Sequence, residues 1–420
     1  MKRHLIALVG ALAVLLAFGS GAAQAQSVQG VGQTATTGQS ATSNASSTQT
    51  NPTNTNISVR IFSPGETGSV AQNNTSAAGS AALNGASTAQ AVSQAQSGAG
   101  EQAVGQTAGT GQSADSSATS EQTKPTNTNI DVRIDSPGGG GSVDQSNTSA
   151  AGSIAGNKAT TEQGVEQQQG GDGCGCKGSG SGVQAAGQKA ETGQEANSEA
   201  TSHQDHPSND NIAVRIFSPG SGGDVNQSNN SAALSAAGNL AETTQGVGQT
   251  QAGGCGCGGD HVQAVGQKAI TGQLADSSAS STQKGASNSN VPVRIKSMGS
   301  DGSVEQSNTS LALSAALNAA KTTQAVEQQQ SGCGCRPPKK EAGYGGGGGA
   351  GVQAVGQWAE TWQGADSSAT SEQFYPVNKN APVREKSMGG GGSVAQSNTS
   401  LAGSLAANLA GTLQLVRQVQ

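Results

Sequence analysis

The chain has 420 residues, a formal net charge of −6, 64 glycines, 2% aromatic and 11% charged residues. That balance is too acidic to favour nucleic acid as a partner. Composition taken alone resembles a disordered Gln/Ser/Gly-rich chain, so any fold must be argued from pattern.

Residues 1–25 read as a signal peptide. Lys2 and Arg3 form a basic start, Leu5 to Phe18 an apolar run, and Ala23-Gln24-Ala25 a small-residue cleavage site. The run is too short for a spanning helix. Cleavage before Gln26 removes Lys2 and Arg3 and takes the net charge from −6 to −8. No later stretch is long and apolar enough to cross a membrane. The expectation is an exported product, extracellular or on the cell surface.

A sixty-six-residue unit then recurs at 29–94, 102–167, 184–249, 263–328 and 353–418. With their connectors these define repeats at 26–101, 102–183, 184–262, 263–352 and 353–420. Only alternate residues keep their identity. The first unit reads Gln29, Val31, Gln33, Ala35, Thr37, Gln39, Ala41, Ser43, Ala45, Ser47, Gln49; the fourth reads Gln263, Val265, Gln267, Ala269, Thr271, Gln273, Ala275, Ser277, Ala279, Ser281, Gln283. A period of two marks an extended strand with one specified face. All five units stay in phase while only their connectors change length, which argues against disorder.

Each unit is also a palindrome. Gln29 matches Gln94, Val31 matches Val92, Gln33 matches Gln90, Gln39 matches Asn84, Ser43 matches Ser80 and Gln49 matches Asn74, and each pair of numbers sums to 123. Opposed like residues suit an antiparallel hairpin; strands that arch over and stack in parallel satisfy the same palindrome. At the far end Ile57, Val59 and Ile61 alternate as a short strand, and Ser63 to Gly68 supplies turn residues. The turn is off the palindrome's centre, so the surplus is expected to loop out at Thr50–Asn56. Bends are expected in such long strands, with Gly38, Gly111, Gly193 and Gly272 as candidate sites. The helical rival rests on Leu311–Gln330 and on Leu401, Leu405, Leu409 and Leu413 at steps of four, but leaves the alternation unexplained. An Ala methyl buries about 0.8 kcal/mol against about 1–2 kcal/mol for fixing a residue's backbone. One hairpin cannot offset that, whereas stacked units with Gln and Asn ladders can. The fold expected is all-β: five tandem long β-hairpin repeats forming a meander sheet or a β-solenoid-like stack.

Residues able to carry chemistry are few. Cys174, Cys176, Cys255, Cys257, Cys333 and Cys335 form three Cys-Gly-Cys pairs in the connectors. In an exported chain they are disulfide candidates, with metal binding the lesser option because it needs about four ligands. One arginine recurs per unit: Arg60, Arg133, Arg215, Arg294 and Arg384. Stacked tips would align them into a row able to hold a polyanion or carboxylated glycan, against the plainer reading of structurally hydrogen-bonded arginines. Trp358 and Trp362, opposite Leu413 and Leu409, form an apolar docking patch or a terminal cap. His203 and His206 fall on a polar loop. No catalytic motif, metal site or cofactor site is legible, so an enzyme is not expected.

All five return strands contain Asn-x-Ala-x-x-x-Gln, at Asn84–Gln90, Asn157–Gln163, Asn239–Gln245, Asn318–Gln324 and Asn408–Gln414. This is similar to the second half of the repeat in curlin, the secreted subunit of bacterial curli fibres. The resemblance implies inward Ser, Gln and Asn in stacked strand–turn–strand units that self-assemble as a functional amyloid. The first half of the curlin pattern is missing and this unit is far longer. The expectation is a secreted structural repeat protein whose partner is itself, as a fibre or surface layer, with surface polysaccharide or other extracellular matrix as a further partner. Alternatives are a monomeric adhesin or ligand-binding module, and an ice-binding surface.

Overall fold

The computed structural model describes residues 27–97, 100–170, 182–252, 261–331 and 351–419. Every regular element among them is a strand. The first repeat contributes β1 (Ser27–Thr50), β2 (Thr53–Ile61) and β3 (Val70–Ser97). The second gives β4 (Gly100–Thr123), β5 (Thr126–Ile134) and β6 (Val143–Gly170); the third β7 (Gly182–Asp205), β8 (Ser208–Ile216) and β9 (Val225–Ala252). The fourth gives β10 (His261–Lys284), β11 (Ser287–Ile295) and β12 (Val304–Ser331). The fifth gives β13 (Gly351–Phe374), β14 (Val377–Asn380), β15 (Val383–Glu385) and β16 (Val394–Val419).

These strands build three open parallel sheets, ordered β1-β4-β7-β10-β13, β2-β5-β8-β11-β14 with β15 also on β11, and β3-β6-β9-β12-β16. Each repeat is one coil of a solenoid-like stack. Gln33 pairs with Gln106, then Gln188, Gln267 and Gln357, at offsets of 73, 82, 79 and 90 residues. The offsets differ only by the lengths of segments 98–99, 171–181, 253–260 and 332–350, so the in-phase units are the in-register strands.

Of the two arrangements expected, the stack forms and the meander does not. The two long strands of a unit do not hydrogen-bond as an antiparallel ladder; β1 pairs with β4 and β3 with β6. The palindromic partners meet across the gap between the two long sheets. Ser80 Oγ donates to the Ser43 carbonyl at 2.6 Å, Ser76 Oγ to Ser47 Oγ at 2.9 Å, and Gln94 Nε2 to the Gln29 carbonyl at 3.4 Å. The physical reason is the amide. A primary amide carries donor and acceptor on one group, so identical Gln or Asn residues side by side continue one another indefinitely. The column Gln39, Gln112, Gln194, Gln273, Gln363 is linked at 2.9, 2.7, 2.7 and 2.6 Å.

Between these columns the interior is filled by small, buried side chains. One alanine layer contains Ala82, Ala114, Ala155, Ala196, Ala237, Ala275 and Ala316, and a second layer Val92, Val104, Val165, Val247, Val265 and Val326. The two sheets interdigitate, so each hydroxyl of one sits between two of the other. Ser47, Ser76, Ser120, Ser149, Ser202, Ser231, Ser281, Ser310, Ser371 and Ser400 form one unbroken zigzag, with links of 2.9–3.0 Å. Each hydroxyl can donate once and accept twice, so the chain costs no buried unsatisfied group along its length.

Two expectations are corrected, the bends and the Thr50–Asn56 loop, and the helical rival fails. The long strands run unbroken for 24 and 28 residues in the first coil, about 80–90 Å. Gly38 and Gly111 lie on the outer face within such strands and make no bend; nothing lies within 4 Å of where their Cβ would stand. Segment 311–330 is strand, within β12. Thr50–Asn56 does not loop out. The corner takes only Asn51 and Pro52, with Asn51 at φ 51°, and β2 begins at Thr53. Asn54 and Asn56 hold it there by donating to Asn127 at 2.8 Å and Asn129 at 2.7 Å. The surplus residues thus form a third, short sheet that closes one end of the flat sandwich.

Candidate functional site: the tip and the open ends

In β2 the even residues Asn54, Asn56, Ser58 and Arg60 turn inward, and the odd residues Ile57, Val59 and Ile61 turn out. Chain direction then reverses through left-handed residues. Phe62, Asp135, Phe217, Lys296 and Lys386 have φ of 45–52°, and Gly65, Gly138, Gly220, Gly299 and Gly389 have φ of 129–144°. At Gly138 a side chain is excluded twice, because a Cβ would also lie 2.0 Å from the Gly65 carbonyl oxygen.

The five arginines align in register, and the three central ones are buried inside the tip. Their guanidiniums satisfy carbonyls of the turn. Arg133 Nη1 donates to the Gly65 carbonyl at 2.8 Å, Arg215 Nη1 to Gly138 at 2.8 Å, and Arg294 Nη1 to Gly220 at 2.9 Å. Asp131 stands beside Arg133 at 3.4 Å, and Asp301 bridges Arg294 and Arg384. The row is therefore internal, and an extended polyanion cannot lie along it. A cavity of about 360 Å³ runs through the tip between β2, β5, β8, β11 and the returning chain, lined by Arg60, Asp131, Arg215, Arg294 and Asp301 among others. Burial, then the charges of Arg294 and Arg133, push the Arg215 guanidinium down to about 10 in spite of Asp131 and Asp301.

Other expected sites are dispersed. Trp358 and Trp362 project from the outer face of β13, whereas Leu409 and Leu413 project from the outer face of β16. The two sheets face each other through their other sides, so these residues lie on opposite surfaces and form no common patch. His203 is in β7, not in a loop; His206 occupies the corner at φ 50° with Nδ1 2.8 Å from Asp205. All six cysteines lie in segments 171–181, 253–260 and 332–350, outside the described residues. Among the described residues no group of three or more His, Cys, Asp or Glu is placed to hold a metal ion.

The feature that residue-by-residue reading missed is the state of the two ends. Val326 is 3% exposed in the fourth coil, but its stacking partner Val416 in the fifth is 51% exposed. The amide columns also have a direction. Each Gln of a column passes its Nε2 toward the first coil, so Gln363 donates to Gln273 while its own Oε1 has no partner among the described residues. The inner Asn column of the tip runs the other way, from Asn56 Nδ2 to Asn129 Oδ1 and on to Asn380, whose Nδ2 has no partner among the described residues. The fifth coil therefore presents Gln acceptors and an Asn donor where the first presents Gln donors and an Asn acceptor. Comparison with known protein families, with characterised proteins and with solved structures finds no match for this chain.

Proposed function

We propose that this is an exported structural protein that assembles head to tail into fibres, each copy adding five coils to the stack. The observation that carries the reading is the complementarity of the first and fifth coils, whose outer edges are open among the described residues. Placing a second copy's first coil on the fifth coil continues the Gln column from Gln39 Nε2 to Gln363 Oε1 and the Asn column from Asn380 Nδ2 to Asn56 Oδ1. It also buries Val416 as Val326 is buried. An interface whose two faces differ propagates openly instead of closing as a dimer, and unprotected strand edges are templates for further pairing. The reading of residues 1–25 as a leader and the half-motif shared with curlin support export and assembly. The ice-binding alternative loses ground because the recurring threonines Thr110, Thr192 and Thr271 are 2–5% exposed and face inward. A structural role leaves no step for catalysis.

The test is size. A single copy already contains the strand spacing of about 4.8 Å that dyes and diffraction detect, so electron microscopy and sedimentation decide. Mature protein is expected to form filaments, with strands across the filament axis. Val416→Lys combined with Ser400→Lys puts two charges on the open end and should hold the chain as monomer. A wild-type protein that stays monomeric at high concentration contradicts the proposal.

A further inference from the structure

The tip column holds five guanidiniums against two carboxylates, Asp131 and Asp301. Among the described residues Arg60 and Arg215 have no carboxylate within ion-pair distance, and of the two only Arg215 is buried. Four of the five arginines donate Nη2 to the carbonyl six residues on: Arg60 to Glu66 and Arg384 to Gly390 at 2.7 Å, Arg133 to Gly139 at 2.8 Å, and Arg294 to Ser300. Arg215 makes no such bond to Ser221. Its side chain is 3% exposed and has one hydrogen bond, from Nη1 to Gly138. Among the described residues its Nε and Nη2 have no hydrogen-bond partner and no carboxylate is paired with it.

The space beside it has been vacated twice. Ala213 stands in register with Asp131, and Gly222 takes the place that Asp301 occupies in the next coil. A Cβ at Gly140 would fall 2.9 Å from Arg215 Nη2, so glycine there lets the guanidinium lie against the cavity wall. A buried cation without a carboxylate costs far more than one that is paired, and a guanidinium's parallel N–H groups match two oxygens of one anion. We infer that the tip of the third coil binds one small oxyanion, of the size and charge of sulfate or phosphate, on the free Nε and Nη2 of Arg215. The anion replaces the carboxylate that the neighbouring coils supply from their own chain. The site is independent of fibre formation, since it lies within one copy.

Equilibrium dialysis of sulfate-free full-length mature protein against radiolabelled sulfate at low ionic strength tests this. About one sulfate per chain is expected, displaced by phosphate. Ala213→Asp and, separately, Gly222→Asp should lower binding at least tenfold, and Ala213→Asp should raise Tm in sulfate-free buffer by supplying the missing partner. Lys268→Gln, on an outer face, should leave binding unchanged. Absence of bound sulfate in the wild type overturns the inference. So does binding that survives both Asp variants or that falls in Lys268→Gln, either of which assigns it to the outer surface.

Discussion

A single amide removed from the middle of a column should cost more than its share of the whole column. Gln188 is buried, donates Nε2 to Gln106 Oε1 at 2.9 Å and to the Gly246 carbonyl at 3.2 Å, and accepts from Gln267 Nε2 at 2.8 Å. Gln188→Leu leaves Gln106 Oε1 with no donor, a penalty of about 1–3 kcal/mol, and weakens Gln267 by about 1 kcal/mol. The apolar gain of a buried leucine over glutamine offsets about 1–2 kcal/mol of that. The single variant should therefore lose about 2 kcal/mol. Replacing Gln33, Gln106, Gln188, Gln267 and Gln357 together leaves no orphaned amide, because both partners of every ladder bond are gone. That five-fold variant should stay within about 2 kcal/mol of wild type, where additive losses would reach about 10 kcal/mol. Urea midpoints followed by circular dichroism measure both, compared at constant protein concentration because the proposed end-to-end assembly would add to the measured stability. A five-fold loss near the additive sum would refute continuous stacking of these amides.

Two further outcomes follow from the same geometry. Gly138→Ala meets both a φ of 143° and a Cβ 2.0 Å from a carbonyl oxygen, and should destabilise by about 3 kcal/mol or more, whereas Gly105→Ala, with open space around it, should gain about 0.5–1 kcal/mol; thermal melts separate the two. Burial, then Asp366 and Glu195, raise the Asp276 carboxyl above its ordinary 3.8, so its ionisation penalty is absent below that value and grows as pH rises through the folded pKa. Asp276→Asn should therefore raise Tm at pH 7, by the equivalent of about a few tenths of a kcal/mol for a solvent-screened like-charge pair, and leave it unchanged at pH 3.

Strand content and the inward face were legible because the invariant residues fall at steps of two, and Gln39, Ser43 and Ser80 are inward as the palindrome requires. The direction of pairing was less legible. A palindrome states which residues face each other and is silent on whether the contact is a ladder or a sheet-to-sheet interface. The evidence for stacking lay in comparing units, where Gln33, Gln106, Gln188, Gln267 and Gln357 are the same residue and amides of one kind can hydrogen-bond in file. The second half of each third-sheet strand was legible, since Ile57, Val59 and Ile61 alternate, but its first half was hidden by composition, because Thr53, Asn54, Thr55 and Asn56 look like a loop. Their own alternation, recurring as Asn127 and Asn129 or Asn288 and Asn290, carries the strand signal and places Arg60 on the same inward face. The anion site was illegible unit by unit: it arises because the third repeat has Ala213 and Gly222 where its neighbours place carboxylates.

Neighbouring repeats pair in parallel register while the two halves of a repeat only face each other. Spin labels at paired cysteines test it, in a background with the six native cysteines changed to serine. Thr34 and Thr107 are register partners on one outer face, so Thr34→Cys with Thr107→Cys should show strong dipolar broadening from labels about 5 Å apart at the backbone. Thr34→Cys with Ala89→Cys places labels on opposite outer faces of sheets about 10 Å apart and should show none. Broadening in the second pair and not in the first would mean antiparallel hairpins and would contradict the parallel stack.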